Sequence, residues 1–354
     1  VKLQLGGIYV EYINEITINE AIVHILDNNS DEPILNEYTL ELNEEIYAFL
    51  YKHIQKCFRD EELKYAIFSE DRNIVKDVSQ EFLNGENNLL QISKELAKQM
   101  FLLMRSKGSI ASCDIMLISI STEYGPLLGI MKMDYVKNYV HNVEFIDNKI
   151  GINIIPQFTG LPASGQRIQK CAFIKPLRSE NTFDLMVIDK QAKSKNNEEY
   201  GSNYFISNYL GCSIINNERD LTKSFVQSAE KWTRTNLKEN AEAQENIRSV
   251  IKKKLREEEE LDVKEMAEEL FGNETSAKEN FITYLKEEGG IEKVAIDKEW
   301  VDKKLKRVRL KIDKDIDLYI NEEAYNDNSR FEVVRNGDGT INMIIKHVSN
   351  YVEK

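Results

Sequence analysis

Closely spaced cysteines are missing from this chain. Cys57, Cys113, Cys171 and Cys212 are far apart, with no CxxC pair and no histidine at zinc-ligand spacing. His24, His53, His141 and His347 are equally dispersed. That argues against a structural metal and leaves the thiols as small buried hydrophobes. Apolar runs of the ~20 residues that a membrane helix needs are missing as well. The opening VKLQLGGIYVEY alternates like a strand and lacks the basic-then-apolar layout of a secretory leader, so the expectation is a cytoplasmic protein. Its first residue is not Met, which leaves room for a natural start further upstream. Phosphate loops and nucleophile elbows are absent too. LPASGQRIQK has one glycine and an arginine where a Walker A loop needs two glycines and a lysine, and no GxSxG occurs. Nothing in these patterns calls for a cofactor.

Charge is what the chain has in quantity: 60 acidic side chains against 47 basic ones, for a formal net charge of −13. Its distribution is uneven. Residues 1–62 hold 13 acids against 4 bases, whereas 148–179 holds Lys149, Arg167, Lys170, Lys175 and Arg178 and no acid. A negative total therefore excludes a histone-like basic protein but leaves room for a polyanion partner on one segregated surface.

Local patterns predict an α+β protein with a mostly antiparallel sheet. AIVHILDN and ILNEYTLELN read as strands, and NEEIYAFLYKHIQKCF as a helix capped by Asn43. Two more helices follow, around NIVKDVSQEFLN and LLQISKELAKQMFLLMRSKG, the second closed by Gly108. From 112 on, CDIMLISIS, LLGIMKMDYV, VEFIDNKIGINII, IQKCAFIKP and FDLMVIDKQ are short apolar strands separated by turn residues such as Asp147-Asn148. KSKNNEEYGSN (193–203) reads as a polar, mobile loop. The length predicts two or three domains. The expected division is an α+β domain over 1–215, a helical segment over 216–290 and a β-rich end over 291–354, with RFEVVRNGDGTINMIIKHV as a hairpin.

Three candidate sites read weakly. Asp134, Asp184 and Asp189 are carboxylates that a metal-dependent nuclease could converge on Mg²⁺, with Lys190 adjacent. Their spacing does not match D…ExK, and neighbouring strand positions send Asp189 and Lys190 to opposite faces. DKDID (313–317) resembles a calcium loop, but Leu318 and Ala324 stand where a glycine and a bidentate glutamate belong. DVKEMAEELFG and ETSAKENFITYLKEEG have the length of a helix-turn-helix pair. The second helix nevertheless offers Lys278, Glu279, Asn280, Lys286 and Glu287, whose charges nearly cancel.

One stretch stands apart. KKLKRVRLK (303–311) carries six bases in nine residues: Lys303, Lys304, Lys306, Arg307, Arg309 and Lys311. From Arg307 onward, Val308, Leu310, Ile312, Ile316, Leu318 and Ile320 share one parity, broken only by Lys314, and Arg307, Arg309, Lys311, Asp313, Asp315 and Asp317 share the other. The plain reading is the wet face of a strand. The functional reading is a phosphate grip, with Lys252, Lys253, Lys254 and Arg256 of IRSVIKKKLR and the bases Arg167, Lys170 and Lys175 as company. The strip itself has no aromatic residue, so stacking on single strands is not expected.

The order of segments resembles the bacterial 37-kDa nucleoid-associated protein family. The resemblance is carried by AIVHILDN, LLGIMKMDYV, LPASGQRIQKCAFIKP, FDLMVIDKQ, NYFISNYLGC, LTKSFVQSAEKW, MAEELFG…FITYLKEEG and LKIDKDIDLYIN. It spans nearly the whole chain and contains no catalytic signature. It implies a nucleoid-associated protein that binds double-stranded DNA with little sequence preference and has no catalytic residues to carry over. With the charge pattern, the expectation is a non-catalytic DNA-binding homodimer. A nuclease, or a module that binds a protein partner in a chromosome-maintenance or defence complex, stands as the alternative.

Overall fold

The computed structural model describes residues 8–161, 168–190, 204–289, 291–313 and 315–352. The expected loop 193–203 lies outside them. The chain divides into two compact units, residues 11–215 and residues 1–10 with 216–354.

The first unit begins with β1 (Ile16–Leu26), helix α1 (Glu44–Phe58), β2 (Lys64–Phe68) and the helices α2 (Ile74–Leu83) and α3 (Leu89–Ser106). Two hairpins follow, β3 (Cys113–Thr122) with β4 (Gly125–Asp134), and β5 (Val136–Ile146) with β6 (Lys149–Thr159). The unit closes with β7 (Lys170–Ile174), β8 (Leu185–Asp189), a π-helical turn over Tyr204–Leu210, and β9 (Cys212–Ile215). Seven strands form one antiparallel sheet in the order β1-β3-β4-β7-β8-β2-β9. Its two faces are both covered. Leu96, Met100 and Phe205 pack with Ile115, Leu117, Leu128 and Ala172 on one side, and Phe58 of α1 meets Phe173 at 4.3 Å on the other. Double burial explains why the central strands read as unbroken apolar runs. The four cysteines are buried, and burial pushes the Cys113 and Cys212 thiols up to about 12.

Asn43 caps α1 as expected, its side chain accepting from the Ile46 N–H at 2.9 Å. ILNEYTLELN is not a strand. Ile34 bridges to Ile25 for one pair only, because Asn36 leaves the ladder: its N–H donates to His24 Nδ1 at 2.9 Å and its side chain accepts from the Tyr38 N–H. The short strand β2 was not visible in the sequence pattern.

The second unit contains α4 (Glu218–Asn236), α5 (Ala241–Glu257), β10 (Glu260–Asp262), α6 (Val263–Phe271) and α7 (Thr275–Gly289). After these come β11 (Lys293–Ala295), α8 (Lys298–Leu305), β12 (Arg307–Ile312), β13 (Ile316–Asn321), α9 (Glu322–Tyr325), β14 (Phe331–Arg335) and β15 (Ile341–Ile345). The strands pair as three antiparallel ribbons, β10-β11, β12-β13 and β14-β15. One core runs through the helical stretch into the C-terminal part: Phe225, Trp232, Ile251, Phe281 and Leu285 share it with Ile291, Val294, Trp300 and Val301. Trp232 lies edge-on to Phe281 at 5.0 Å.

His24 couples the irregular segment to pH. Since the Asn36 N–H occupies Nδ1, the ring proton sits on Nε2 and donates to Ser93 Oγ at 2.9 Å, which donates on to the Leu90 carbonyl. Burial, with the charge of Lys94 second, lowers His24 from 6.5 to about 4. The unfolded chain thus takes this proton at a higher pH than the folded one. The contribution is intact above pH 6.5 and is lost as pH falls from there toward about 4. Urea unfolding between about pH 7 and pH 5 should show a larger fall in stability for the wild type than for His24→Gln; equal falls contradict the assignment.

Candidate nucleic-acid interface

The basic strip does not form one element. Lys303 and Lys304 occupy the last turn of α8, a helix started by Asp297, whose side chain accepts from the Trp300 N–H at 2.9 Å. Trp300 and Val301 hold its inner face in the core. Lysines at this end are favoured by the helix dipole. Lys306 caps the helix, and β12 starts at once with Arg307. The register pairs Val308 with Ile320, Leu310 with Leu318 and Ile312 with Ile316 on one face. Arg307, Arg309 and Lys311 pair with Asn321, Tyr319 and Asp317 on the other. The chain reverses through Asp313, whose φ of 49° is left-handed. Asp313 and Asp315 therefore lie between the two strands of a hairpin, and Ile316 and Asp317 open β13; among the described residues no group of three or more candidate metal ligands occurs anywhere.

All six bases of the strip are exposed. Lys303 is tied to Glu299, and Arg309 lies 3.5 Å from Asp317. Lys304, Lys306, Arg307 and Lys311 make no ion pair with any described residue. The structure also adds an aromatic residue that the strip lacks in sequence. Tyr319 is 66% exposed on the opposite strand, with the Arg309 guanidinium 5.1 Å from its ring centre. It was missed because it lies ten positions further along, and only the register brings it beside Arg309.

Helix α5 borders the same hairpin. Lys252, Lys253 and Arg256 line a cavity of about 230 Å³ together with Arg248, Tyr325 and Leu310 of β12. Their charges are partly compensated. Lys254 is held by Glu258 and Glu269 at 2.8 and 3.0 Å, and Arg256 is paired with Glu322. Lys252 lies 4.8 Å over the Tyr325 ring and its proton affinity is lowered, mainly by burial and then by Arg256 and Arg248. Two polar groups of the helix-turn-helix-like pair are already engaged: Asn280 accepts from the Trp232 indole at 2.7 Å, and Lys286 reaches Glu292 at 2.6 Å on the surface.

The remaining expected bases are engaged otherwise or lie outside the described residues. Lys170 and Lys175 belong to the other compact unit. Lys170 is buried, paired with Asp189, and 4.8 Å from the Tyr204 ring centre. Lys175 is 2.7 Å from Glu11 and lies over Phe183. Neither offers a free charge to a phosphate, and both are withdrawn from the candidate interface. Arg167 lies outside the described residues. The three aspartates are also committed within the fold. Asp184 accepts from the Phe68 N–H at 2.9 Å, whereas Asp134 is paired with Lys132 and Asp189 with Lys170. Burial, then Asp134, Cys113 and Asp189 in that order, push the Tyr204 hydroxyl above its ordinary range, so both paired aspartates act on one ring. These buried pairs have a structural role. Asp189→Asn should lower the unfolding free energy by about 3–5 kcal/mol by stranding the Lys170 ammonium, while Lys170→Met with Asp189→Leu restores much of it. Chemical denaturation of the three proteins measures this; an Asn variant as stable as wild type contradicts it.

No helix among the described residues is long and apolar enough to cross a membrane. None of the curated proteins compared matches the chain. The family described as nucleoid-associated protein YejK matches residues 22–353, nearly the whole length that carries the fold and the basic hairpin. The chain belongs to this family of nucleoid-associated proteins.

Proposed function

We propose that this protein binds double-stranded DNA with little sequence preference, without catalysis and as a homodimer, through Lys303, Lys304, Lys306, Arg307, Arg309 and Lys311, with α5 alongside. The observation that carries this reading is the set of exposed cations at the end of α8 and on one face of β12, of which Lys304, Lys306, Arg307 and Lys311 lack any carboxylate partner among the described residues. Such charges attract phosphates and release their counterions whatever the base sequence. A formal charge of −13 does not oppose this at close range, because screening limits exposed charges to about 10 Å at ordinary salt. Weak sequence preference follows from the same geometry. In the α6–α7 pair Asn280 and Lys286 are already engaged by Trp232 and Glu292, and a cationic strip reads no base edges. A second copy doubles the number of phosphate contacts and raises avidity.

Fluorescence anisotropy on a duplex of about 25 bp, measured against salt, tests the reading. With five bases engaged, Lys304 to Lys311, the log–log slope should be about −4 to −5 per protomer. Removing three charges with Arg307→Gln, Arg309→Gln and Lys311→Gln should flatten it to about −2. Glutamine avoids placing a new acid beside Asp317, which would disturb the hairpin. Two unrelated duplexes should bind alike. Unchanged curves in the variant, strong discrimination between duplexes, or cleavage with Mg²⁺ or Mn²⁺ would each overturn a part of the proposal.

A further inference from the structure

The hairpin β5–β6 pairs with no other strand among the described residues. Each arm is eleven residues long, and the two join through Asp147 and Asn148, whose φ of 51° and 59° fit the two-residue turn that matches strand twist. The register sorts the ribbon into unlike faces. One carries Asn138, Gln157, Asn142, Asn153, Glu144 and Lys149 around the single apolar pair Val140–Ile155. The other is apolar from end to end: Tyr139–Pro156, His141–Ile154, Val143–Ile152 and Phe145–Ile150, with Phe158 at the root. In an ordinary amphipathic ribbon this second face lies on the protein's own core. Here Tyr139, Val143, Phe145, Ile150, Ile152, Ile154 and Phe158 are 51–77% exposed. Together they offer on the order of 800 Å², above the few hundred Å² typical of the largest patch on a monomer. A two-stranded ribbon alone is also only marginally stable in water.

The chemistry of the ribbon selects its occupant. A β-ribbon that enters a DNA groove needs surplus positive charge. This one has Lys137 and Lys149 against Glu144 and Asp147, with Asp147 at the tip. The apolar face has no carboxylate, and its only basic side chains are Lys137 at the root and the His141 ring, so it can lie against an identical face with little like-charge conflict. Its area is what each partner of a standard interface buries, roughly 800 Å². A twofold contact also needs only one such self-complementary surface. We infer that the apolar face of β5–β6 packs against the same face of a second copy, forming the homodimer. This names the surface for the homodimer in the reading above and rests on that part of it alone.

Light scattering and sedimentation of the full chain, from about 1 to about 100 µM, test this with Phe145→Asn/Ile152→Asn and with Asn142→Ser on the polar face as control. The wild type and control should be dimers. The double variant should dimerise at least about 100-fold more weakly, with the melting temperature of the wild type once both are dilute enough to be monomeric, since both side chains are exposed. A second arm tests the face directly. The native cysteines are buried, so Ile152→Cys should give a disulfide-linked dimer under mild oxidation and Asn153→Cys should not. A double variant that dimerises like the wild type, or cross-linking equal at both positions, overturns the ribbon interface and leaves the homodimer standing. A monomeric wild type overturns both. Loss of DNA binding with the dimer intact leaves this inference untouched.

Discussion

An ammonium group that leaves water needs a carboxylate beside it, and that requirement decides which bases of this acidic chain remain available. In the sheet unit, Lys132, Lys170, Lys175 and Lys190 have each found one, in Asp134, Asp189, Glu11 and Asp60. Those charges cancel inside the fold. At the end of α8 and along β12 the opposite holds: the basic side chains stay in water, and Lys304, Lys306, Arg307 and Lys311 have no carboxylate partner among the described residues. The total of −13 therefore says little about where a polyanion would land.

Much of the fold could be read from the sequence, because local rules governed it. Asn43 caps α1, the 147–148 turn joins two strands, and the parity from Arg307 to Ile320 gives the hairpin faces directly. The failures were long-range. The partner of Lys175 is 164 positions away at Glu11, and that of Lys170 is Asp189, 19 positions on at the far end of the next strand, so local composition could not discount those bases. ILNEYTLELN kept a strand-like pattern, yet one side-chain acceptor, His24 Nδ1, took the Asn36 N–H out of the ladder. Tyr319 became part of the basic face only through register.

The β5–β6 ribbon illustrates the same limit from the other side. VEFIDNKIGINII reads as short apolar strand sequence, and the structure leaves one face of the ribbon in water. Its root is nonetheless firmly built: Tyr135 donates to Asp114 at 3.2 Å, and a side chain at Gly160 would come within 2.5 Å of the same carboxylate. On the proposed reading, an arm anchored so closely and left uncovered would serve self-association by apolar area, while DNA contact would rest on charge elsewhere.

The central claim is that the 303–311 strip is where DNA lies. Hydrogen–deuterium exchange on the full chain, with and without a saturating duplex, addresses it without any mutation. The account predicts new protection over 303–321 and the C-terminal turns of α5, with little change in the sheet around Lys170 and Lys175. Protection of the sheet unit with an unchanged β12–β13 hairpin would contradict it.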